Sequence, residues 1–329
     1  TEDMLQGPPV NRLQPLHDCF DKLKRITGKD YTSVPSTAVG VRNKSLRSAI
    51  RSMRPGIFKS NTSEPFLYSR QGKTAAVWHS NVTGQAEIYF TQYENGKTGD
   101  VVRITDTEGP SRWPYLTGIG TDGFIVTWQD CRDGDNAEVY IKKSTDSGAA
   151  WNSEQRLTSH GQGTFDPVLW VEEETVIAAW EDSREGICIR KSVDSGDSFA
   201  EEKIIVSGAA EWPQLSGTSE NLWLAWSIAN GDNAGIYVSH SGDAGESWSE
   251  PVKISGKTDD AGEPTILVDG NSVFTAWRDS RSSTSEIYFR ASPDGKTWGE
   301  EMQLTDSGRY SEYPSLVGAG GQLAVFFST

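Results

Sequence analysis

The chain has 329 residues, with 31 Lys+Arg against 46 Asp+Glu and a formal net charge of −15. A body this acidic repels phosphate, which excludes nucleic acid as a main partner. No apolar run approaches the ~18 residues of a membrane span, no stretch has the three regions of a signal peptide, and Cys19, Cys131 and Cys188 are too few for a disulfide framework.

The first 60 residues run against the overall charge, holding 11 basic and 5 acidic side chains where the remainder holds 20 and 41. Within residues 1–36, Leu13, Leu16, Phe20 and Leu23 share one helical face, and Gly28 is a fitting stop. This predicts an N-terminal extension with one helix, either a basic docking arm or a solvated lead. Asn-x-Ser/Thr sequons begin at Asn43, Asn61 and Asn81.

From residue 62 onward the sequence repeats. A Pro-x-Leu/Ile element recurs at Pro65, Pro114, Pro167, Pro213, Pro264 and Pro314, in steps of 49, 53, 46, 51 and 50 residues. Each unit opens on this strand. A second strand ends in Trp78, Trp128, Trp180, Trp226 or Trp277. A third carries Ile-Tyr or Val-Tyr, as in Val139-Tyr140, and a short fourth follows a turn, as in Arg156-Leu157-Thr158. β-Branched and aromatic residues between turn signals predict strands. A period near 50 built of short strands predicts a propeller.

The turn before the fourth strand reads Ser-x-Asp-x-Gly-x-x-aromatic in three units: Ser144, Asp146, Gly148, Trp151; then Ser192, Asp194, Gly196, Phe199; then Ser241, Asp243, Gly245, Trp248. In the first unit it decays to Tyr93, Asn95, Gly96 and Gly99. A copy one residue shorter has Ser292, Asp294, Gly295 and Trp298. The carboxylate accepts backbone N–H bonds across such a turn, and glycine takes positive φ. These turns resemble the Asp boxes of the sialidase-like superfamily. That resemblance implies an all-β, six-bladed propeller of four-stranded antiparallel blades over 37–329. The last unit, 309–329, supplies only two strands. Val39-Gly40-Val41 and Ile57-Phe58 match the missing pair, and Ser45 to Phe58 spans the same 13 residues as Ser241 to Ile254. Residues 37–60 are therefore expected to complete the last blade.

Strand alternation puts the turns before each proline on the face opposite the Asp boxes, at the central mouth. The residues before the six prolines are Glu64, Trp113, Asp166, Trp212, Glu263 and Tyr313, so carboxylates and rings alternate. One position earlier stand Arg112, Glu211 and Glu312. Acids that bond hydroxyls beside rings that stack on C–H faces suit a sugar. In the alternative, each acid caps backbone N–H groups of its neighbouring blade and each ring packs between blades. Converging acids raise one another's pKa. A retained proton relieves this, as does a Ca²⁺ ion held by Glu64, Asp166 and Glu263. No cofactor is otherwise required.

Asp-x-Arg follows the tryptophan in three units, at Asp130/Arg132, Asp182/Arg184 and Asp279/Arg281. These arginines either face an anionic ligand or stiffen the loop by local pairing. His79 is the one histidine assigned to the mouth side.

In sialidases an Arg-Ile-Pro arginine holds the substrate carboxylate, with two further arginines, an acid, and a tyrosine paired with a glutamate. Arg112-Trp113-Pro114 resembles the first element, with Asp133 or Asp135 placed for the acid. Later units offer Glu263 and Glu312 where arginine is needed, Tyr313 and Glu211 follow from the wrong blade count, and the first unit reads Ser63-Glu64-Pro65. Standard sialidase activity is therefore not expected. Three readings follow: a glycan-binding propeller, a glycoside hydrolase or lyase using mouth carboxylates, or a non-catalytic scaffold. A secreted or surface-exposed setting suits all three.

Overall fold

The computed structural model describes residues 62–329, apart from positions 71–72, 95–96, 135, 162, 230, 259, 283, 307, 309, 320–321 and 329, and apart from the side chains at 62–65, 70, 73, 94, 97–98, 319 and 322. The expected helix in 1–36, the strand pair in 37–60, Cys19 and the sequons at Asn43 and Asn61 lie outside these residues. Every regular element among the described residues is a strand, and all pairings are antiparallel between sequence neighbours or near neighbours.

The strands form six sheets in chain order. The first, or inner, strands of the six sheets, which all contribute to one cavity, are Thr62–Arg70, Ser111–Ile119, Thr164–Glu172, Glu211–Thr218, Ala261–Asp269 and Glu312–Ala319. Each pairs with a second strand, which in the first five sheets pairs with a third that carries the short outer pieces. The first sheet has five strands because Lys97–Thr98 and Val102–Arg103 both pair with Glu87–Glu94. The sixth has two, Glu312–Ala319 and Gln322–Ser328, among the described residues.

Pattern and packing agree. The five tryptophans that close the second strands are at most 1% exposed. Four of them stand directly opposite a tyrosine of the third strand and stack on it at 5.8–6.3 Å. In the third sheet Cys188 takes the tyrosine position opposite Trp180. Cys188 is a buried free thiol.

Between sheets, apolar side chains from consecutive neighbours merge into cores. Val126 packs with Val77 and Phe90, Ile125 with Val176, Ile177 with Leu224, Val273 with Trp223, and Phe289 with Leu316. Burial of these facing surfaces is the main stabilising term.

Register fixes which ends of the strands meet. In the second sheet Ser111, Asp130 and Glu138 lie together at one end, and Ile119, Gly123 and Ser144 at the other. The four Ser-x-Asp turns therefore sit at the end opposite the residues before each proline, as the alternation predicts. In each turn the serine Oγ accepts the glycine N–H at 2.8 Å in three copies, while the aspartate accepts a backbone N–H beyond it at 2.6–2.9 Å in all four. These bonds hold the four carboxyls below the usual carboxylate range. The glycines have a second duty that the motif does not reveal. A Cβ at Gly148 would meet Phe90 Cε1 at 2.2 Å, and one at Gly295 would meet Trp223 Cζ2 at 2.3 Å, so each turn presses on the preceding sheet.

Candidate functional site

The inner strand of every sheet breaks register at its start. The irregularities fall at Ser63/Phe66, Arg112/Tyr115, Phe165/Val168, Glu211/Gln214, Gly262/Thr265 and Glu312/Ser315. In five of these bulges the residue before proline is left-handed: Trp113 (φ 53°), Asp166 (48°), Trp212 (58°), Glu263 (54°) and Tyr313 (52°). Such a conformation is rare for residues with side chains and costs on the order of 1–3 kcal/mol where it occurs. A bulge re-aims the side chain and suspends strict alternation. All five of these residues line one cavity of about 490 Å³, to which the inner strands of all six sheets contribute. Glu64 occupies the same bulge position in the first sheet, with its side chain outside the described set.

The rings and acids are unevenly placed. Trp113 and Trp212 meet edge to face, their centroids 6.4 Å apart at 87°. Asp166 belongs to the sheet between theirs, and its backbone N–H lies 3.4 Å from Gln129 Oε1. Among the described residues no donor is bonded to the Asp166 carboxylate. Burial, with the Glu211 and Glu263 carboxylates adding to it, pushes this acid up to about 7. Glu181, from the second strand of the same sheet, is pushed up to about 8 by burial and by the charges of Asp166 and Glu211, against a backbone bond from Trp212. Burial raises Glu211 as well. Glu263 is the best-partnered of the group: it accepts the Tyr313 N–H at 2.6 Å and lies 3.5 Å from Arg278 Nε, yet burial still raises it. Arg278 is itself bound by Asp260 through two 2.9 Å bonds.

Sequence reasoning passed over Glu181, Gln129 and Arg278. They hold the position after the tryptophan of the second strand, opposite the residue two before proline. That position reads His79, Gln129, Glu181, Ser227 and Arg278, a polar series following an invariant repeat tryptophan, and this contrast was the available signal.

Arg132, Arg184 and Arg281 do not line the cavity. Each binds its own aspartate: Arg132 reaches Asp130 at 2.8 and 2.9 Å, Arg184 reaches Asp182 at 2.7 and 2.9 Å, and Arg281 reaches Asp279 at 2.5 Å. Glu154 and Glu301 also bind Arg132 and Arg281, whose guanidinium groups lie 4.2 and 4.3 Å over Tyr140 and Tyr288. Local pairing thus occupies all three. Asp133 accepts the Tyr140 hydroxyl and an Arg156 contact at 3.0 Å. Arg112 is exposed and lines a neighbouring cavity of about 510 Å³ with His79 and Trp113. Burial and the Arg112 charge lower His79 to about 4, so it is neutral at physiological pH.

No protein-family model and no curated protein matches the chain. Among solved structures, it is similar to a mutant of the NanB sialidase from Streptococcus pneumoniae, at 11% identity and TM-score 0.60, over 81% of this chain and 65% of that one. The fold is sialidase-like. A mutant Trypanosoma rangeli sialidase displaying trans-sialidase activity aligns at 12% identity and TM-score 0.55, over 81% of this chain and 52% of that one. The chain thus spans between half and two thirds of these sialidases. A Dyadobacter fermentans protein of unknown function aligns over 80% of this chain and 93% of its own, at 14% identity and TM-score 0.57. A sialidase-like fold does not by itself name a function, which rests on the side chains of the site. Among the described residues no helix is long and apolar enough to cross a membrane.

Proposed function

We propose that this chain is a carbohydrate-binding, six-bladed propeller whose ligand sits at the central mouth, opposite four turns that we read as Asp boxes. One observation carries this: rings and carboxylates alternate on five strained bulges around a single cavity. Strain of this kind persists where the surroundings over-determine it, and it clusters at functional sites. Arg112 lines the adjoining cavity, which shares Trp113 with this one, and we read Glu211 and Glu312 as standing behind the bulges. We assign Arg132, Arg184 and Arg281 to holding their loops. A glycan array tests the reading. Binding should be found, and it should be lost in Trp113→Ala and Trp212→Ala proteins that melt like the parent. An empty array refutes it.

A second reading is favoured by Asp166 and Glu181, which keep protons near neutrality as a general acid must. A glycoside hydrolase would then turn over a chromogenic glycoside and lose that activity in Asp166→Asn or Glu181→Gln. A Ca²⁺ ion among Glu64, Asp166 and Glu263 remains a subordinate proposal. Titration with CaCl₂ by calorimetry tests it, and no heat would dismiss it. The ring itself is proposed to close through residues 37–60, which would supply the third and fourth strands of the sixth sheet.

A further inference from the structure

The mouth has a polarity that a neutral sugar would not use. Asp166, Glu181, Glu211 and Glu263 come from three consecutive sheets. The cation on that side, Arg278, is held by Asp260 through two bonds and so is largely spent. Arg112 lines the neighbouring cavity with His79 rather than the central one, and His79 is neutral. Asp166 and Glu263 line the central cavity with Glu181 and Glu211 close enough to raise Asp166 or be raised by it, and a cation arriving there would favour the ionised form of these carboxyls. Trp113 and Trp212, meeting edge to face, form an aromatic corner there, with Asp166 on the strand between them; Tyr313 also lines the cavity. Indole faces attract cations within about 6 Å of the ring centroid, and a carboxylate without a donor adds a charge-assisted bond.

We propose that the sugar taken at this mouth carries a protonated amine, seated in the corner of Trp113 and Trp212 with Asp166 as its counter-ion. This rests on the carbohydrate reading and narrows it to amino sugars whose nitrogen is free. An acetylated nitrogen is neutral and leaves the carboxylates uncompensated. An anionic sugar is opposed by the surrounding acids. The bulges serve this arrangement, because Trp113, Asp166 and Trp212 all stand at irregular strand starts and line the same cavity.

Calorimetry with the full-length protein tests the proposal, using a glucosamine oligosaccharide and its fully N-acetylated counterpart as probes at pH 7. The free amine should bind at least tenfold tighter. Asp166→Asn should weaken binding of the free amine at least tenfold and so remove that preference. The parent comparison needs no variant, so a misfolded substitution cannot rescue the idea. Equal or tighter binding of the N-acetylated oligosaccharide, or of neutral or acidic glycans on the array, overturns the amine proposal and leaves the carbohydrate reading standing. If no probe and no array glycan binds, both fall.

Discussion

Replacing Asp166 by asparagine should stabilise the protein, in a pH-dependent way. The carboxyl is pushed from an ordinary 3.8 up to about 7, first by burial and then by Glu211 and Glu263. The folded state therefore holds this proton more tightly than the unfolded chain. The resulting contribution to stability is complete below pH ~4 and is lost as pH rises through 7. Taken at face value, ionising Asp166 within the fold costs about 4 kcal/mol more than in the unfolded chain. Water at the open mouth screens part of the repulsion, so roughly 1–3 kcal/mol is the realistic gain for Asp166→Asn at pH 8. Asparagine keeps the shape and cannot ionise. The gain should vanish at pH 4, where both side chains are neutral. Urea unfolding of the two proteins across pH 4–9 reads the difference directly, and thermal melting should show several degrees at pH 8. A variant destabilised equally at both pH values would mean that Asp166 holds the strand start together, and the electrostatic account would be wrong.

Glu181→Gln should behave in the same sense, with its gain appearing near pH 8 and above, and its effect should fall short of additive with Asp166→Asn because the two charges repel each other. Gly148→Ala should cost about 2–4 kcal/mol in urea unfolding, since it combines φ +80° with a Cβ 2.2 Å from Phe90 Cε1; a neutral outcome would refute the close sheet-to-turn contact. Deleting residues 1–60 should expose the edge of the sixth sheet and produce aggregation or early melting, and a deletion protein that melts like the full chain would dismiss closure by 37–60. A standard sialic acid glycoside should not be cleaved above background, because the cavity presents Glu263 where a carboxylate-binding arginine is wanted; turnover that is lost in Arg112→Ala would overturn this.

The repeat was legible because its signals are local. Proline spacing, the tryptophan closing each second strand and the Ser-x-Asp turns each report a backbone requirement, and the sheets place them where the alternation says. The site was legible only as a set of names. A residue before proline is ordinarily extended, so nothing in Arg112-Trp113-Pro114 or Phe165-Asp166-Pro167 announces a left-handed bulge that turns Trp113 and Asp166 into one cavity. Glu181 was missed because it sits inside a regular strand, between a buried tryptophan and the Asp182 that binds Arg184. Its importance depends on which acids face it from the next sheet, and sequence order does not carry that distance. The Arg132, Arg184 and Arg281 series had two readings in the sequence; each arginine is held by the aspartate two residues before it, and Glu154 and Glu301, some 20 residues on, add a second partner to two of them.

The bulges also separate two kinds of selection. A residue standing in the regular ladder answers to its cross-strand neighbours, so changing it disturbs a core. A bulged residue is excused from that pairing, and across this molecule the same backbone posture is worn by tryptophan, aspartate, glutamate and tyrosine. The rim is thus a short string of interchangeable letters set on a constant frame. Trading an indole for a carboxylate at one of these positions would change what the cavity presents while every sheet kept its register.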